Sequence, residues 1–264
     1  MKNFYSFLGG GTIGSLGGLI GLGGAEFRLP LLNIAFRFDL KSAIVLNLFI
    51  SFFTVIFSLL FRMYHLESGE EILMNIWVVF NLLAGSLIGS YFGTNMMLRI
   101  DSEKLKSFVF LLMLFLASIL FFHSEFKEMN FSLEVPFLAK CIITVAAGYV
   151  IGVVSSLLGV AGGELIIPTI ILIYGVDIKL AGTLSLMVSI PTILISLYKH
   201  YRNNRLEVIT HNNTFLLYMI GGTFVGSYLG SLAVGVMNSY WLEIFLAGLL
   251  LISAVKMKYL KGKD

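Results

Sequence analysis

Two glutamates lie where glutamates are costly. Glu26 and Glu164 each follow a glycine cluster inside an apolar run, in Gly21-Leu-Gly-Gly-Ala-Glu-Phe-Arg-Leu-Pro30 and Gly159-Val-Ala-Gly-Gly-Glu-Leu-Ile-Ile-Pro168. An apolar surround favours the protonated carboxyl, so each can take up and release a proton. Each also opens a helix after the break, where a carboxylate simply complements the positive end of the helix dipole. The neighbouring residues offer a second chemistry. Gly23, Gly24, Gly162 and Gly163 have no Cβ. With Ala25 they place backbone N–H groups at two helix starts, a setting suited to an anion. The plainer alternative is close helix crossing at small residues. A permanently ionised glutamate would repel an anion, so the two chemistries fit together if protonation accompanies anion movement.

Further polar groups fall on the helical run after each break. Asn47, Ser51 and Thr54 share one helical face, as do Ser185, Ser189 and Thr192, with Thr183 beside them. Such stripes either line a substrate path or hydrogen-bond between helices. Arg28 has no counterpart in the second cluster, where Ile166 stands, and its long side chain is expected to snorkel to the membrane surface. Tyr91 and Tyr228 sit in Gly85-Ser-Leu-Ile-Gly-Ser-Tyr-Phe-Gly93 and Gly222-Thr-Phe-Val-Gly-Ser-Tyr-Leu-Gly230, which read as tight helix contacts. Glu243, after Trp241, is expected at an interface. His65, His123, His200 and His211 lie near loops and share no metal-ligand spacing. No catalytic dyad or metal set is legible, so neither an enzyme nor a cofactor is expected.

These residues come in pairs because the chain is duplicated. Gly14–Ser51 aligns with Gly152–Ser189 without a gap, at an offset of 138, with 12 of 38 positions identical. The identities include Gly21/Gly159, Gly24/Gly162, Glu26/Glu164, Pro30/Pro168, Asp39/Asp177, Lys41/Lys179 and Ser51/Ser189. The two Gly-Ser-Tyr segments repeat at offset 137. Domain organisation is read as a first repeat over 1–123, a connecting loop over 124–135 and a second repeat over 136–264. A duplicated hydrophobic segment interrupted by Gly and Pro is the sequence mark of a transport site.

Apolar residues make up 58% of the chain and charged residues 12%, against about 25% charged in a soluble domain. The elements that carry the pairs are therefore membrane helices. Apolar runs at 42–61, 72–98, 105–122, 180–198, 215–236 and 240–255 approach or exceed the span length of about 17–25 residues. Phe4–Phe38 as one straight helix would measure about 50 Å, too long for a core of about 30 Å. It reads as a hairpin, with a longer arm to about Gly21 and a shorter one over Ala25–Phe36. The second hairpin has arms of Pro136–Leu158 and Gly163–Tyr174. With both hairpins returning to their own side, 14 Lys and Arg residues fall on one side and 4 on the other, against 11 and 7 for single crossings. The positive-inside rule makes the first side cytoplasmic, with both termini there. Each half then has an odd number of crossings, and the halves are inverted. The fold class is an all-α polytopic membrane protein of two inverted repeats, each a broken or re-entrant hairpin followed by three transmembrane helices. The glycine breaks are expected to meet near the midplane. The net charge of +3 is scattered over short loops and implies no nucleic acid, and Cys141 alone forms no internal disulfide.

The G-x-G-G-x-E…P hairpin, the D-x-K-x-A at Asp39–Ala43 and Asp177–Ala181, and the serine-rich span ending in Ser-Ile-Pro-Thr192 resemble the sulfite exporter TauE/SafE family of membrane transporters. The resemblance covers the whole chain. The family's G-x-G-G-G-x-x-x-x-P has Ala25 and Ala161 in place of one glycine each, and its G-T-S is stretched to Gly182-Thr-Leu-Ser185. It implies movement of small sulfur-containing anions, such as sulfite or sulfonates, across the cytoplasmic (inner) membrane. The expectation is a secondary transporter working by alternating access. Its partners are a small inorganic or organosulfur anion and the lipid bilayer, with a homodimer left open. Substrate contact is expected from Gly23, Gly24, Ala25, Gly162, Gly163, Asn47, Ser51, Thr183, Ser185 and Ser189, and proton coupling or gating from Glu26 and Glu164. A cation channel or transporter using the two glutamates as ligands is the alternative.

Overall fold

Long runs of Leu, Ile, Val and Phe leave the backbone no water to bond, so its N–H and C=O groups are satisfied within helices. The computed structural model describes residues 2–65, 69–96, 110–111, 114, 117–118, 136–158 and 160–259, and of Glu26 it describes the backbone alone. Among the described residues there is no β-strand. Helix α1 (Lys2–Leu16) runs into a wide π-type turn at Gly17–Gly21 and stops; α2 (Ala25–Pro30) restarts the chain and continues through a second wide turn, Leu31–Ala35. Then come α3 (Leu40–His65), a short α4 (Gly69–Met74) and α5 (Ile76–Met96). The second half repeats the order with α6 (Phe137–Leu158), α7 (Gly163–Tyr174), α8 (Ile178–Arg202), a short α9 (Glu207–His211), α10 (Asn213–Val236) and α11 (Ser239–Tyr259).

Five of the described helices are long and apolar enough to cross a membrane: Lys41–His65, Ile76–Thr94, Phe137–Leu157, Ile178–Arg202 and Asn213–Val236. Four correspond to expected spans. The fifth is the long arm of the second hairpin. The run at 105–122 and the connecting loop lie largely outside the described residues. The run at 72–98 is two helices, because the chain turns at Asn75, whose N–H bonds the carbonyls of both Glu71 and Ile72. The repeated aspartates start the spans: Asp39 accepts from the Ser42 amide at 3.0 Å and Asp177 from the Lys179 amide at 2.8 Å.

Pairs of contacts fix the helix directions. Gly24 meets Ile13 and Gly9 meets Leu31, so α2 folds back along α1. Gly162 meets Ile151, and Tyr174 bonds Thr144, so α7 folds back along α6. Helix α1 runs parallel to α10, with Gly10, Gly14 and Gly18 against the backbone of Met219, Thr223 and Ser227. Helix α3 also runs parallel to α10, with Phe57 on Phe224 and His65 on Tyr228. Helices α1 and α3 thus point the same way, which requires the chain between them to return. The same holds for α6, α5 and α8: Gly85, Gly89 and Gly93 meet Val145, Tyr149 and Val153, while Ser86 bonds Thr192 and Ser90 bonds Ser196. The C-terminal end of α3 meets the N-terminal end of α8, through Arg62 and Thr183, so the two groups run in opposite directions. These are inverted repeats.

The repeats interlock reciprocally. Phe36 packs edge-on to Phe215, and its mate Tyr174 packs edge-on to Trp77, one position before the mate of Phe215, both at 4.8 Å between ring centroids. Ser58 bonds Ser227 at 3.2 Å, and their mates Ser196 and Ser90 bond at 2.7 Å. Contacts of i to j matched by j to i define a two-fold relation. One apolar core joins α7 and α8 to α5, α6 and α11; a second joins α2 and α3 to α8 and α10. Glu243, five residues into α11, is buried against protein, 2% exposed.

Candidate functional site

The site begins where the helices stop. Gly21, Gly24 and Gly162 hold positive φ (91°, 62° and 82°), the left-handed region that side-chain-bearing residues avoid. Leu22 between them is extended. A Cβ at Gly21 would overlap the carbonyl of Gly182, and one at Gly162 would overlap Ser155. The glycines are thus demanded by conformation and close packing. The breaks also touch each other. A Cβ on Gly23 would overlap that of Ala161, its own repeat mate, so the contact lies on the two-fold axis. The expectation that the breaks meet is met by that contact. Gly163 adds a second approach, its Cβ position being 3.2 Å from the Gly21 oxygen and 3.3 Å from Leu22 Cα.

The prolines have a local consequence. Pro30 and Pro168 each lie four residues after a glutamate and lack the N–H that would bond the carbonyl of residue i−4. At each proline the helix therefore forgoes the bond to the carbonyl of Glu26 or Glu164, the second residue of its short arm. The Glu164 side chain is buried, 3% exposed.

Arg28 corrects the sequence reading. It does not snorkel: it is fully buried, and its guanidinium donates to Ser51 Oγ at 2.8 Å, Thr54 Oγ1 at 2.8 Å and the Gly23 carbonyl at 3.3 Å. It sits in the first break, beside the contact between Gly23 and Ala161, with the polar stripe of α3 holding its planar fork. Its apolar mate, Ile166, is buried in the core. Asn47 donates to the Ala25 carbonyl at 3.0 Å, and Ser185 to the Gly21 carbonyl at 2.8 Å. Thr183 accepts from Arg62 Nε at 3.2 Å. Gly23, Ala25, Asn47, Ser51 and Ser185 are therefore brought to the breaks, together with Gly24, Gly162 and Gly163. Ser189 is buried on α8, and among the described residues it makes no hydrogen bond to either break.

Two buried residues escaped the sequence reading. Arg62, counted there as a loop cation, is fully buried and bonds backbone on α1 and α8. His200, placed near a loop, is fully buried at the end of α8. The one available signal was the repeat itself, since Arg62 and His200 are mates at offset 138 and continue the two polar stripes by two more turns, through Ser58 and Ser196. Removing Arg28 and Arg62 from the charge count leaves 13 against 3, so the asymmetry survives. Tyr91 and Tyr228 face outward, half-exposed; the glycines beside them make the helix contact. Among the described residues no group of three His, Cys, Asp or Glu could hold a metal ion. Chemically, among the described residues, the junction presents the buried guanidiniums of Arg28 and Arg62, the buried carboxyl of Glu164, hydroxyls and an amide, and helix starts from both repeats.

Compared with known proteins, the chain matches the family model described as sulfite exporter TauE/SafE, over residues 2–121 and again over 143–263. No curated protein and no solved structure matches it.

Proposed function

This chain belongs to the sulfite exporter TauE/SafE family and is a multi-pass membrane protein, and from that premise we propose that it is a secondary transporter of small sulfur oxyanions, sulfite or short sulfonates, in the cytoplasmic membrane. One observation carries the choice of an anion. Arg28 places a permanent positive charge, fully buried, where the two breaks touch. The charge answers the conflict posed by the glutamates, because an anion entering the junction meets a cation first. Ser51 and Thr54 hold the fork flat from one side. The helix starts at Ala25 and Gly163, with Gly23, Gly24 and Gly162 before them, add positively polarised amides. Asn47, Thr183, Ser185 and Ser189 supply neutral polar contacts along the way. Glu26 and Glu164 take up protons as the anion moves, so that net charge in the junction stays low.

Alternating access follows from reciprocal interlocking: rocking one repeat against the other exposes the shared axis first to one side, then to the other. Both termini are cytoplasmic on this reading, from the Lys and Arg asymmetry. The buried Glu164 is the observation that favours the alternative, a cation pathway. Uptake of sulfite, sulfate, thiosulfate and short sulfonates into proteoliposomes, with reversal potentials, tests both. Anion-selective flux with a sulfur oxyanion among the best substrates is expected. Cation-selective reversal potentials would overturn the reading.

A further inference from the structure

Both short arms end in the same backbone shape, filled by different residues. Gly175 closes α7 in the left-handed region, at φ 65°. Arg37, its mate at offset 138, holds φ 59° at the end of the first arm. The turn there is closed by the Phe36 and Phe38 amides, which bond the carbonyls of Leu31 and Leu32. Asn33 Nδ2 adds a bond to the Phe38 carbonyl at 3.0 Å. A helix that ends this way ordinarily has glycine or asparagine at the left-handed residue, because a Cβ is disfavoured there. Among the described residues only Arg37 and Asn204 hold a positive φ without being glycine. Asparagine suits that region; arginine does not. The first repeat thus keeps a strained arginine where the second keeps glycine, and strain retained in a fold points to a task for the side chain.

The task is not an internal contact. Arg37 is exposed, and among the described residues it has no hydrogen-bond or ion-pair partner. Asp39, two residues on, is engaged by the Ser42 amide instead. What Arg37 adjoins is a cleft of about 610 Å³ between the arms of the first hairpin. The arms are antiparallel, with Gly9 against Leu31, so Tyr5 and Arg37 stand at the outer end of the cleft and Thr12 at the inner end. Leu8, Leu31, Ala35 and Phe36 make its walls apolar. Thr12 turns its hydroxyl to the carbonyls of Leu8 and Gly9, at 3.0 and 3.2 Å. Among the described residues Arg37 is the one charged group that lines the cleft. The outer end lies at a membrane surface, since the span of α3 begins at Lys41, four residues on.

The cleft is therefore an apolar slot with a cation at its mouth. A small oxyanion matches the cation but not the slot. A molecule that matches both has a long acyl chain and an anionic headgroup, and basic pockets between membrane helices take such headgroups. We propose that the cleft between the arms of the first hairpin binds one anionic phospholipid, its acyl chain lying between α1 and α2 and its phosphate on the Arg37 guanidinium. The site shares no lining residue with the junction at Arg28, and it does not depend on the cargo.

Native mass spectrometry of the full chain in detergent, titrated with phosphatidylglycerol or with phosphatidylcholine of the same acyl chains, tests the site. The first phosphatidylglycerol should bind at a concentration lower than phosphatidylcholine by roughly fivefold or more, the factor that one basic residue near an anionic headgroup supplies. Arg37→Gly installs the residue of its mate and relieves the strain, so the variant should fold and lose that preference. Ala35→Trp, which fills the slot from an exposed position, should weaken binding of both lipids. Glycerol phosphate, the headgroup without chains, should not compete. Equal affinity for the two lipids, a preference that survives in Arg37→Gly, or competition by glycerol phosphate would overturn the proposal. So would a dimer that Ala35→Trp breaks apart, which would assign the slot to a second copy of the chain.

Discussion

Arg28 carries a charge into a place that its mate, Ile166, leaves apolar. The Ser51 and Thr54 hydroxyls hold its guanidinium in one plane. Replacing it with glutamine keeps donors but removes the charge. Arg28→Gln should raise the half-saturating anion concentration by about 10- to 100-fold, the range of one charged hydrogen bond. Arg28→Lys should fall between, since a point charge cannot serve both hydroxyls. Concentration-dependent uptake in proteoliposomes checks both. The glutamates make a separate prediction. Glu26→Gln and Glu164→Gln should each abolish the dependence of flux on an imposed pH gradient while substrate binding persists. Unaltered pH coupling in both variants would reduce the acids to helix caps, worth about 1 kcal/mol or less. Asp39 sets an acid limit on stability. Burial acts to raise its carboxyl pKa, but its hydrogen bonds to Ser42, with its own backbone and Lys41, outweigh that and hold it below the usual value. A lowered folded pKa means that the contribution is full above the unfolded value of about 3.9 and is lost as pH falls through the folded value. Asp39→Asn, still a competent cap, should leave neutral stability within about 1 kcal/mol and flatten the acid-side loss in detergent melting curves.

At the scale of the helix, the glycines divide into those that are filled against and those that are not. A Cβ at Gly85 would overlap the carbonyl of Val145, and one at Gly226 that of Gly11; Gly235 and Gly248 have nothing within 4 Å. Gly226→Ala and Gly85→Ala should therefore lower stability by about 1–3 kcal/mol, the cost of overpacking. Gly235→Ala should be neutral or stabilising by about 0.5–1 kcal/mol, since alanine favours a helix. Melting of the purified variants in one detergent compares them directly. The same division explains what the sequence made legible. Helix ends and hairpin arms were readable because glycine, proline and aspartate act locally: the arms 136–158 and 163–174 differ from α6 and α7 by one residue at most. The G-x-x-x-G contacts were readable because small residues four apart leave one consistent groove. The fates of Arg28 and Arg62 were not, because their partners arrive from elsewhere. Arg28 meets hydroxyls 23 and 26 residues on, and Arg62 meets Thr183 at a separation of 121. A lone arginine near a helix end reads as a surface charge until the fold brings oxygen atoms to it.

For the whole molecule, the arrangement of directions is the strongest constraint. Helices α1, α3 and α10 run one way, and α5, α6 and α8 run the other, so the exposed caps Asp39 and Asp177 should lie on opposite membrane faces. Single cysteines there, in a Cys141-free chain, should react with an impermeant reagent from opposite sides; reaction of both from one side would defeat the inverted arrangement. The reciprocal interlocking also bears on how the protein is made. Thr223 on α10 bonds the carbonyl of Gly10, 213 residues away. At about 5–20 residues per second of synthesis, the glycine face of α1 waits roughly 10–40 s for the helix that covers it. During that interval a row of glycines lies open to lipid, able to pair with any small-residue helix nearby. The first half of the nascent chain is then an incomplete product, and its survival depends on whatever shelters that face in the insertion machinery until α10 emerges.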